Sequence, residues 1–290
     1  MIIVGVDGSR AGLEAVGWAA REAAIRQAEL SVVHALPRWV CDRDDGRYAE
    51  VAAWMRRGGK EVLDAGEERA RRENRDVKVT ADLLPGDPRT ALVRASRDAE
   101  LLVVGSHGIG GVRGLLVGSV AYGVAGRTAC DLVVVGALPS LPRGEIVVGV
   151  DGSYRSRLVL EAAFAEADRR GTTLRAVHAW AWPRMDGFEP ADPAREAGAL
   201  ILLKETLAGY GESHPDVPVV AEIVHGHPAE VLRQAASGAD VLMVGSHGHG
   251  TFAGMALGSV SQELLHRTPC PLWVVPTGLH HRGEPEPNAR

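Results

Sequence analysis

Short runs of valine, isoleucine and leucine alternate along the chain with longer segments in which apolar residues recur at helical spacing. In the N-terminal half the short runs predict strands near residues 2–6, 30–35, 77–84, 101–104 and 132–135. The segments between them predict helices near residues 12–27, 48–73, 88–97 and 118–127. Strands that alternate with crossover helices are typical of a parallel sheet covered on both faces.

The C-terminal half repeats this pattern, with strands predicted near residues 145–150, 173–178, 217–224, 241–244 and 272–275. The segment IIVGVDGS at residues 2–9 returns as IVVGVDGS at 146–153, and LLVVGSHG at 101–108 returns as VLMVGSHG at 241–248. Matched blocks in the same order indicate a duplication. We therefore predict an α/β protein with two tandem open parallel five-stranded sheets, Rossmann-like, with helices on both faces.

The predicted domains are residues 1–138 and 144–276, joined by a short connection that contains prolines. Residues 277–290 lack apolar periodicity, so we expect a disordered tail there. The last strand of each half is an apolar edge that must be covered. Pairing of these edges within the tandem, and also between two chains as a homodimer, is the expected solution.

A glycine-rich loop follows the fourth predicted strand of each half, at the sheet edge where ligands of open α/β sheets bind. Both loops have the spacing Gly-x2-Gly-x9-Gly-Ser. Glycine lets the backbone bring its amide groups close to phosphate oxygens, and the following helix start attracts anions. The alternative is that the glycines only make turns. Neither Gly-x4-Gly-Lys-Ser/Thr nor Gly-x-Gly-x-x-Gly is present in these positions, which argues against the two commonest nucleotide motifs.

Together with the Asp-Gly-Ser after the first strand and the closing strand CPLWVVP at residues 270–276, these loops resemble the ATP-binding branch of the universal stress proteins. The resemblance covers nearly the whole chain and is similar to the tandem form common in actinobacteria. It implies the adenine nucleotide alpha hydrolase-like fold and a stress-response regulator that binds ATP.

The resemblance also implies which residues bind the nucleotide. An aspartate would contact the ribose hydroxyls, a small residue of the second strand would contact adenine, and the glycine loop would hold the triphosphate. In the first half these residues are Asp7, Ala35, Gly105, Gly108, Gly118, Ser119 and Val120. In the second half they are Asp151, Ala179, Gly245, Gly248, Gly258, Ser259 and Val260. The alternative for each aspartate is a turn residue that hydrogen-bonds its own backbone.

Composition narrows the function further. A formal net charge of −5 gives no electrostatic reason for a nucleic-acid or anionic membrane partner. No apolar stretch approaches the roughly 20 residues needed to cross a bilayer, and no signal peptide precedes the first strand. We therefore expect a cytoplasmic protein. Its three cysteines are too few and too scattered for a disulfide framework or a zinc site.

The loops contain few cations to balance a triphosphate, with Arg113 in the first and histidines in the second. We therefore expect Mg²⁺ to accompany ATP. No lysine or carboxylate pair is placed to activate water, so we assign no catalytic residue and expect slow or absent hydrolysis, with an unidentified protein partner reading the bound state. The alternatives are an adenylating or ATP-hydrolysing enzyme of a related family, a scaffold with vestigial loops, and a metal site at His247 and His249, for which no third ligand is evident.

Overall fold

The computed structural model describes residues 1–42, 45–108, 117–136, 138–139, 143–180, 193–248 and 256–278. In the first half the strands are β1 (Ile2–Gly5), β2 (Leu30–Leu36), β3 (Val79–Pro85), β4 (Leu101–Gly105) and β5 (Asp131–Val135). The helices are α1 (Arg10–Arg26), α2 (Arg38–Asp42), α3 (Ala49–Glu73), α4 (Pro88–Ala95) and α5 (Ser119–Val124). A short 3₁₀ turn, Ser96–Asp98, follows α4.

The second half has strands β6 (Glu145–Gly149), β7 (Thr173–Trp180), β8 (Val219–His225), β9 (Val241–Gly245) and β10 (Leu272–Val275). Its helices are α6 (Ser156–Arg170), α7 (Pro193–Gly211), α8 (Pro228–Ala235) and α9 (Ser259–His266). Each strand predicted from the sequence is present within two residues of its predicted ends. Helix α2 was not predicted, and α5 is shorter than the predicted helix at residues 118–127.

The ten strands of the described residues form one sheet in the order β3-β2-β1-β4-β5-β10-β9-β6-β7-β8. Within each half every pair of neighbouring strands is parallel. Helices cover both faces, and successive strand residues contribute to opposite cores. Leu101 and Val103 face the core under α1 and α3, whereas Leu102 and Val104 face the core under α4 and α5. The predicted α/β class with a mostly parallel sheet is confirmed.

The two halves join where β5 pairs with β10 in antiparallel orientation, with Trp273 opposite Val133. The prediction that the last-strand edges pair within the tandem is therefore confirmed. These edges are therefore already paired and are not open for the predicted homodimer contact. Strand β5 lies between β4 and β10, and strand β10 lies between β5 and β9. The two predicted five-stranded sheets are thus halves of one continuous sheet.

A buried ion-pair ring, formed by Glu22, Arg26, Glu166 and Arg170, connects α1 of the first half with α6 of the second. Each arginine contacts both glutamates, and the side chains of both glutamates are 1% exposed. Burial raises the pKa of Glu22 despite its arginines. For Glu166 burial acts in the same direction, but the charges of Arg170 and Arg26, with Arg169 adding a third, outweigh it and lower the pKa.

Aromatic contacts extend this junction. Trp273 of β10 donates a hydrogen bond from Nε1 to Asp131 Oδ2 of β5 at 2.9 Å. Its ring packs edge-on against Trp18 of α1, with 6.1 Å between the ring centroids, and lies 5.1 Å from the guanidinium carbon of Arg26. Trp273 is 2% exposed, so the second half contributes a side chain to the core of the first.

Candidate functional site

The turn after β1 places Asp7 at the carboxyl edge of the sheet, next to the end of β4. Asp7 Oδ1 accepts a hydrogen bond from the Ser9 N–H at 3.0 Å. Ser9 Oγ in turn accepts from the Gly12 N–H at 3.1 Å, which caps the N-terminus of α1. Asp7 therefore does make the local backbone bond of a turn aspartate, and any ligand contact would be additional to it.

The two ends of the glycine loop meet beside this turn. The Gly118 N–H donates to the Ser106 carbonyl oxygen at 2.7 Å, and Ser119 begins α5 immediately afterwards. The second half makes the equivalent bond, from the Gly258 N–H to the Ser246 carbonyl oxygen, also at 2.7 Å. Each loop is thus closed at its base by its own backbone, and the same spacing produces the same closure twice.

The loop glycines are required by packing as well. A Cβ on Gly105 would lie 2.8 Å from the Ala11 carbonyl group, and a Cβ on Gly108 would lie 2.4 Å from Asp7 Oδ2. The contact of Gly105 is with backbone, so only glycine fits there, whereas a side chain at Gly108 would require the Asp7 carboxylate to move. The sequence interpretation assigned these positions to phosphate approach alone. The structure adds a reason that holds without any ligand.

An open pocket of about 430 Å³ lies between these segments. Its volume is within the range of small-molecule sites. Apolar side chains of β2 and α4, Val33 and Leu92, contribute one part of its lining, and the β1 turn and glycine loop contribute polar groups. The lining includes every site residue predicted for the first half, namely Asp7, Ala35, Gly105, Gly108, Gly118, Ser119 and Val120.

The second half builds the corresponding edge from the predicted residues. A Cβ on Gly248 would lie 2.2 Å from Asp151 Oδ2, and a Cβ on Gly258 would lie 3.5 Å from the His247 Cα. Asp151, Gly248 and Gly258 are therefore together, as their counterparts are in the first half. The other predicted residues occupy the equivalent elements: Ala179 in β7, Gly245 at the end of β9, and Ser259 and Val260 at the start of α9.

Thr277 hydrogen-bonds the backbone of His247 at the base of the second loop. Thr277 Oγ1 accepts from the His247 N–H and donates to the His247 carbonyl oxygen, both at 2.9 Å. Thr277 is 4% exposed, so the fold extends at least to this first residue of the segment predicted as a tail. Residues 279–290 lie outside the described residues.

The strand histidines are hydrogen-bonded to backbone. His34 Nδ1 lies 2.8 Å from the Val6 carbonyl oxygen, and His178 Nδ1 lies 2.7 Å from the Val150 carbonyl oxygen. Both rings thus tie the second strand of each half to the turn that carries the aspartate. Arg113 and His249 lie outside the described residues. Within the described ranges no group of three or more His, Cys, Asp or Glu is arranged to hold a metal ion.

Comparison with known proteins fits this duplicated architecture. The sequence profile of the universal stress protein family matches residues 1–136 and again residues 143–276. The chain belongs to this family.

Relatives of the same length support the assignment. The chain is 36% identical over 282 residues to universal stress protein Rv2005c of Mycobacterium tuberculosis. The alignment covers 94% of this chain and 96% of that protein. It is also 36% identical over 284 residues to universal stress protein Rv2623 of the same organism, with 92% and 94% covered. A crystal structure of a universal stress protein from Archaeoglobus fulgidus has a TM-score of 0.72 at 18% identity, covers 96% of this chain and 98% of its own, and shows the same fold.

Some residues of this universal stress protein's site were not predicted. His107 lines the pocket, with Nδ1 at 2.8 Å from Ser106 Oγ. The repeated Gly-Ser-His-Gly segment carried a signal for it, because the histidine occurs at the same place in both halves. Leu92 and Pro88 of α4 also line the pocket, but nothing in the sequence indicates that α4 reaches this edge.

None of the described helices is both long and apolar enough to span a bilayer.

Proposed function

We propose that this universal stress protein binds ATP at the carboxyl edge of each half and acts as a nucleotide-dependent regulator in the stress response. The observation that carries the proposal is the pocket of about 430 Å³ in the first half, where segments distant in sequence bring the predicted residues together. Its combination of an apolar wall with backbone amides and a serine hydroxyl suits a ligand that has a flat apolar base at one end and phosphates at the other.

Each part of ATP has a matching part of the lining. Adenine would lie against Val33, Ala35 and Leu92, the ribose would lie near Asp7, and the phosphates would lie along the glycine loop to Ser119. Stacking on apolar side chains and hydrogen bonds to amides are the expected interactions. Family membership of both halves supports extending the proposal to the second.

Mg²⁺ is part of the proposal because the described lining of the pocket brings little positive charge. No lysine or arginine is among the described lining residues. Arg10 of the neighbouring turn has a 93% exposed side chain and pairs with Glu14. Backbone amides and a bound cation would therefore offset the charge of the triphosphate.

Slow or absent hydrolysis follows from the same lining. Among the described lining residues the titratable side chains are Asp7, whose Oδ1 accepts from the Ser9 N–H, and His107, whose Nδ1 lies 2.8 Å from Ser106 Oγ. These described residues include no lysine or arginine to stabilise the charge that develops on a transferred phosphate. We expect a turnover number below about 1 s⁻¹, the low end of ordinary enzymes. The bound nucleotide would then act by changing the surface presented to a protein partner in the cytoplasm, where ATP is made and used.

The test is mass analysis of nucleotide that copurifies with the protein, followed by calorimetric titration with ATP and Mg²⁺. We expect ATP or ADP in the purified protein and binding of added ATP to the nucleotide-stripped protein. GTP is the matched control, because its guanine amino and carbonyl groups would meet the apolar wall. Absence of ATP binding at millimolar nucleotide, or equal affinity for GTP, would contradict the proposal.

A further inference from the structure

Helix α5 of the first half ends against the glycine loop of the second half. Gly126 lies two residues after the last residue of α5, Val124, and has the left-handed φ of 73°. A Cβ on Gly126 would overlap with the carbonyl oxygen of Ala256 and would lie 3.1 Å from Leu257 Cδ2. Because the first of these neighbours is backbone, only glycine lets the end of α5 come this close to the second loop.

This contact lies at the phosphate end of the nucleotide site proposed for the second half. Ala256 is two residues before Gly258, whose N–H closes the loop by donating to the Ser246 carbonyl oxygen. Ser259 follows and begins α9. A displacement of the Ala256 backbone would therefore pass within three residues to the amides that we assign to the phosphates.

Two further contacts hold the same segment from the first half. Leu257 is 6% exposed and belongs to the same core cluster as Val124 of α5. On the other side of Ser259, Gln262 Nε2 donates a hydrogen bond to Tyr122 Oη of α5 at 3.1 Å. Helix α5 thus contacts the second half both before and after the residue that begins α9.

The close approach depends on a residue that the second half does not share. The residue equivalent to Gly126 is His266, which is still helical and ends α9. Helix α9 is thus two residues longer than α5 at its C-terminal end. The left-handed glycine ends α5 early and turns the chain against the second glycine loop.

We infer that α5 of the first half is part of the nucleotide site of the second half. Gly126 is a positioning residue that acts through the Ala256 backbone, and it holds the amides of Gly258 and Ser259 where they bind the phosphates of ATP. The affinity of the second site for ATP therefore depends on both halves of the chain. This inference rests on the proposed function and extends it.

The experiment uses full-length chains in which one site is blocked at its adenine end, so that both glycine loops, α5 and α9 keep their sequences. Ala35→Trp blocks the first site, because Ala35 lines the first pocket. Ala179→Trp, at the equivalent place in β7, blocks the second. Gly126→Ala is then added to each chain, and ATP with Mg²⁺ is titrated calorimetrically.

We expect Gly126→Ala to weaken ATP binding about tenfold at the second site, which corresponds to the loss of about one hydrogen bond to a charged group. At the first site the loss should be less than about twofold, although Gly126 belongs to the first half. A general loss of stability would weaken both sites together, so the difference between the sites reports positioning of the second loop.

The matched control is Gly171→Ala at the end of α6. Gly171 has a left-handed φ of 60°, but a Cβ there would meet no atom within 4 Å. This variant carries the same kind of backbone strain without the contact and should leave both affinities unchanged. Gly126→Asn is the second test variant, because asparagine tolerates the left-handed conformation while its Cβ makes the same overlap. It should reproduce the loss at the second site if Gly126→Ala does not fold.

The outcomes separate the inference from the proposed function. Equal losses at the two sites, no loss at the second site, or the same loss with Gly171→Ala would overturn the inference while ATP binding stands. A second site that binds no ATP beside a first site that does would also overturn it. Failure of both single-site chains and of the unmodified protein to bind ATP would overturn the inference together with the proposed function.

Discussion

Removal of Arg170 from the ion-pair ring should destabilise the whole chain. Arg170→Met leaves Glu22, whose side chain is 1% exposed, with Arg26 as its remaining arginine in the ring. Loss of one partner from a buried ion pair costs about 3–5 kcal/mol, because the remaining charge is buried without compensation. We expect about 3 kcal/mol here, since Glu166 keeps Arg26 and Arg169.

Urea denaturation followed by circular dichroism measures this loss, and the thermal midpoint should fall by about 5 °C. The matched control is Arg72→Met on α3, because the Arg72 and Glu68 side chains are 69% and 64% exposed. That variant should stay within about 0.5 kcal/mol of the unmodified protein. Adding Glu22→Gln to Arg170→Met should recover at least about 1 kcal/mol, since it removes a buried carboxylate that has lost one of its two arginines. An Arg170→Met protein as stable as the control would refute burial of the ring between the halves.

Three further predictions use the same structure. Burial raises the pKa of the Cys130 and Cys270 thiols to about 12, while Cys41 is partly exposed, so a thiol reagent near pH 8 should modify one cysteine in the native protein and three after unfolding. For Glu166 the arginine charges outweigh burial and lower the pKa, so its stabilisation is present above the ordinary pKa of 4.5 and is lost as the pH falls through the lowered value. The difference in urea midpoint between the unmodified protein and Glu166→Gln should therefore narrow as the pH falls below 4.5, and a constant difference would contradict this assignment. Trp273→Phe removes the hydrogen bond to Asp131 and part of the ring contact with Trp18, and should cost about 1–3 kcal/mol in the same urea assay.

The strands were predictable because both faces of the sheet are buried. A strand such as β4, in which every residue from Leu101 to Val104 enters one core or the other, appears in the sequence as an uninterrupted apolar run. Helix α2 could not be predicted, since its five residues contain too little periodicity to distinguish a helix from a turn. Helix α5 ends at Val124 because Gly126, just past the C-cap Ala125, adopts the left-handed conformation with φ 73°, so the sequence contained a stop signal that the predicted helix to Arg127 ran past.

The sequence was sufficient to predict which residues form the site, but not how their side chains pack against one another. The duplicated spacing identified the glycine loop in both halves, and the structure brings the first-half residues around one pocket. The packing of Gly108 against Asp7 could not be foreseen, because it depends on how closely two loops approach in space. The contact of Ser156 with Asp151 could not be predicted either. A serine near a helix start is common in sequences, and its hydrogen bond to Asp151 is evident only in the structure.

The most direct test of nucleotide binding on the glycine loops is the ATP affinity of the double variant Gly118→Val, Gly258→Val. A Cβ on Gly118 would already lie 3.2 Å from the Ser106 carbonyl oxygen, so the larger valine side chain would fill the base of the loop. The control is Gly58→Val on α3, where a Cβ would meet no atom within 4 Å. We predict that calorimetric titration detects no ATP binding to the double variant, while Gly58→Val binds as the unmodified protein does. Unchanged ATP affinity in a folded double variant would contradict the account.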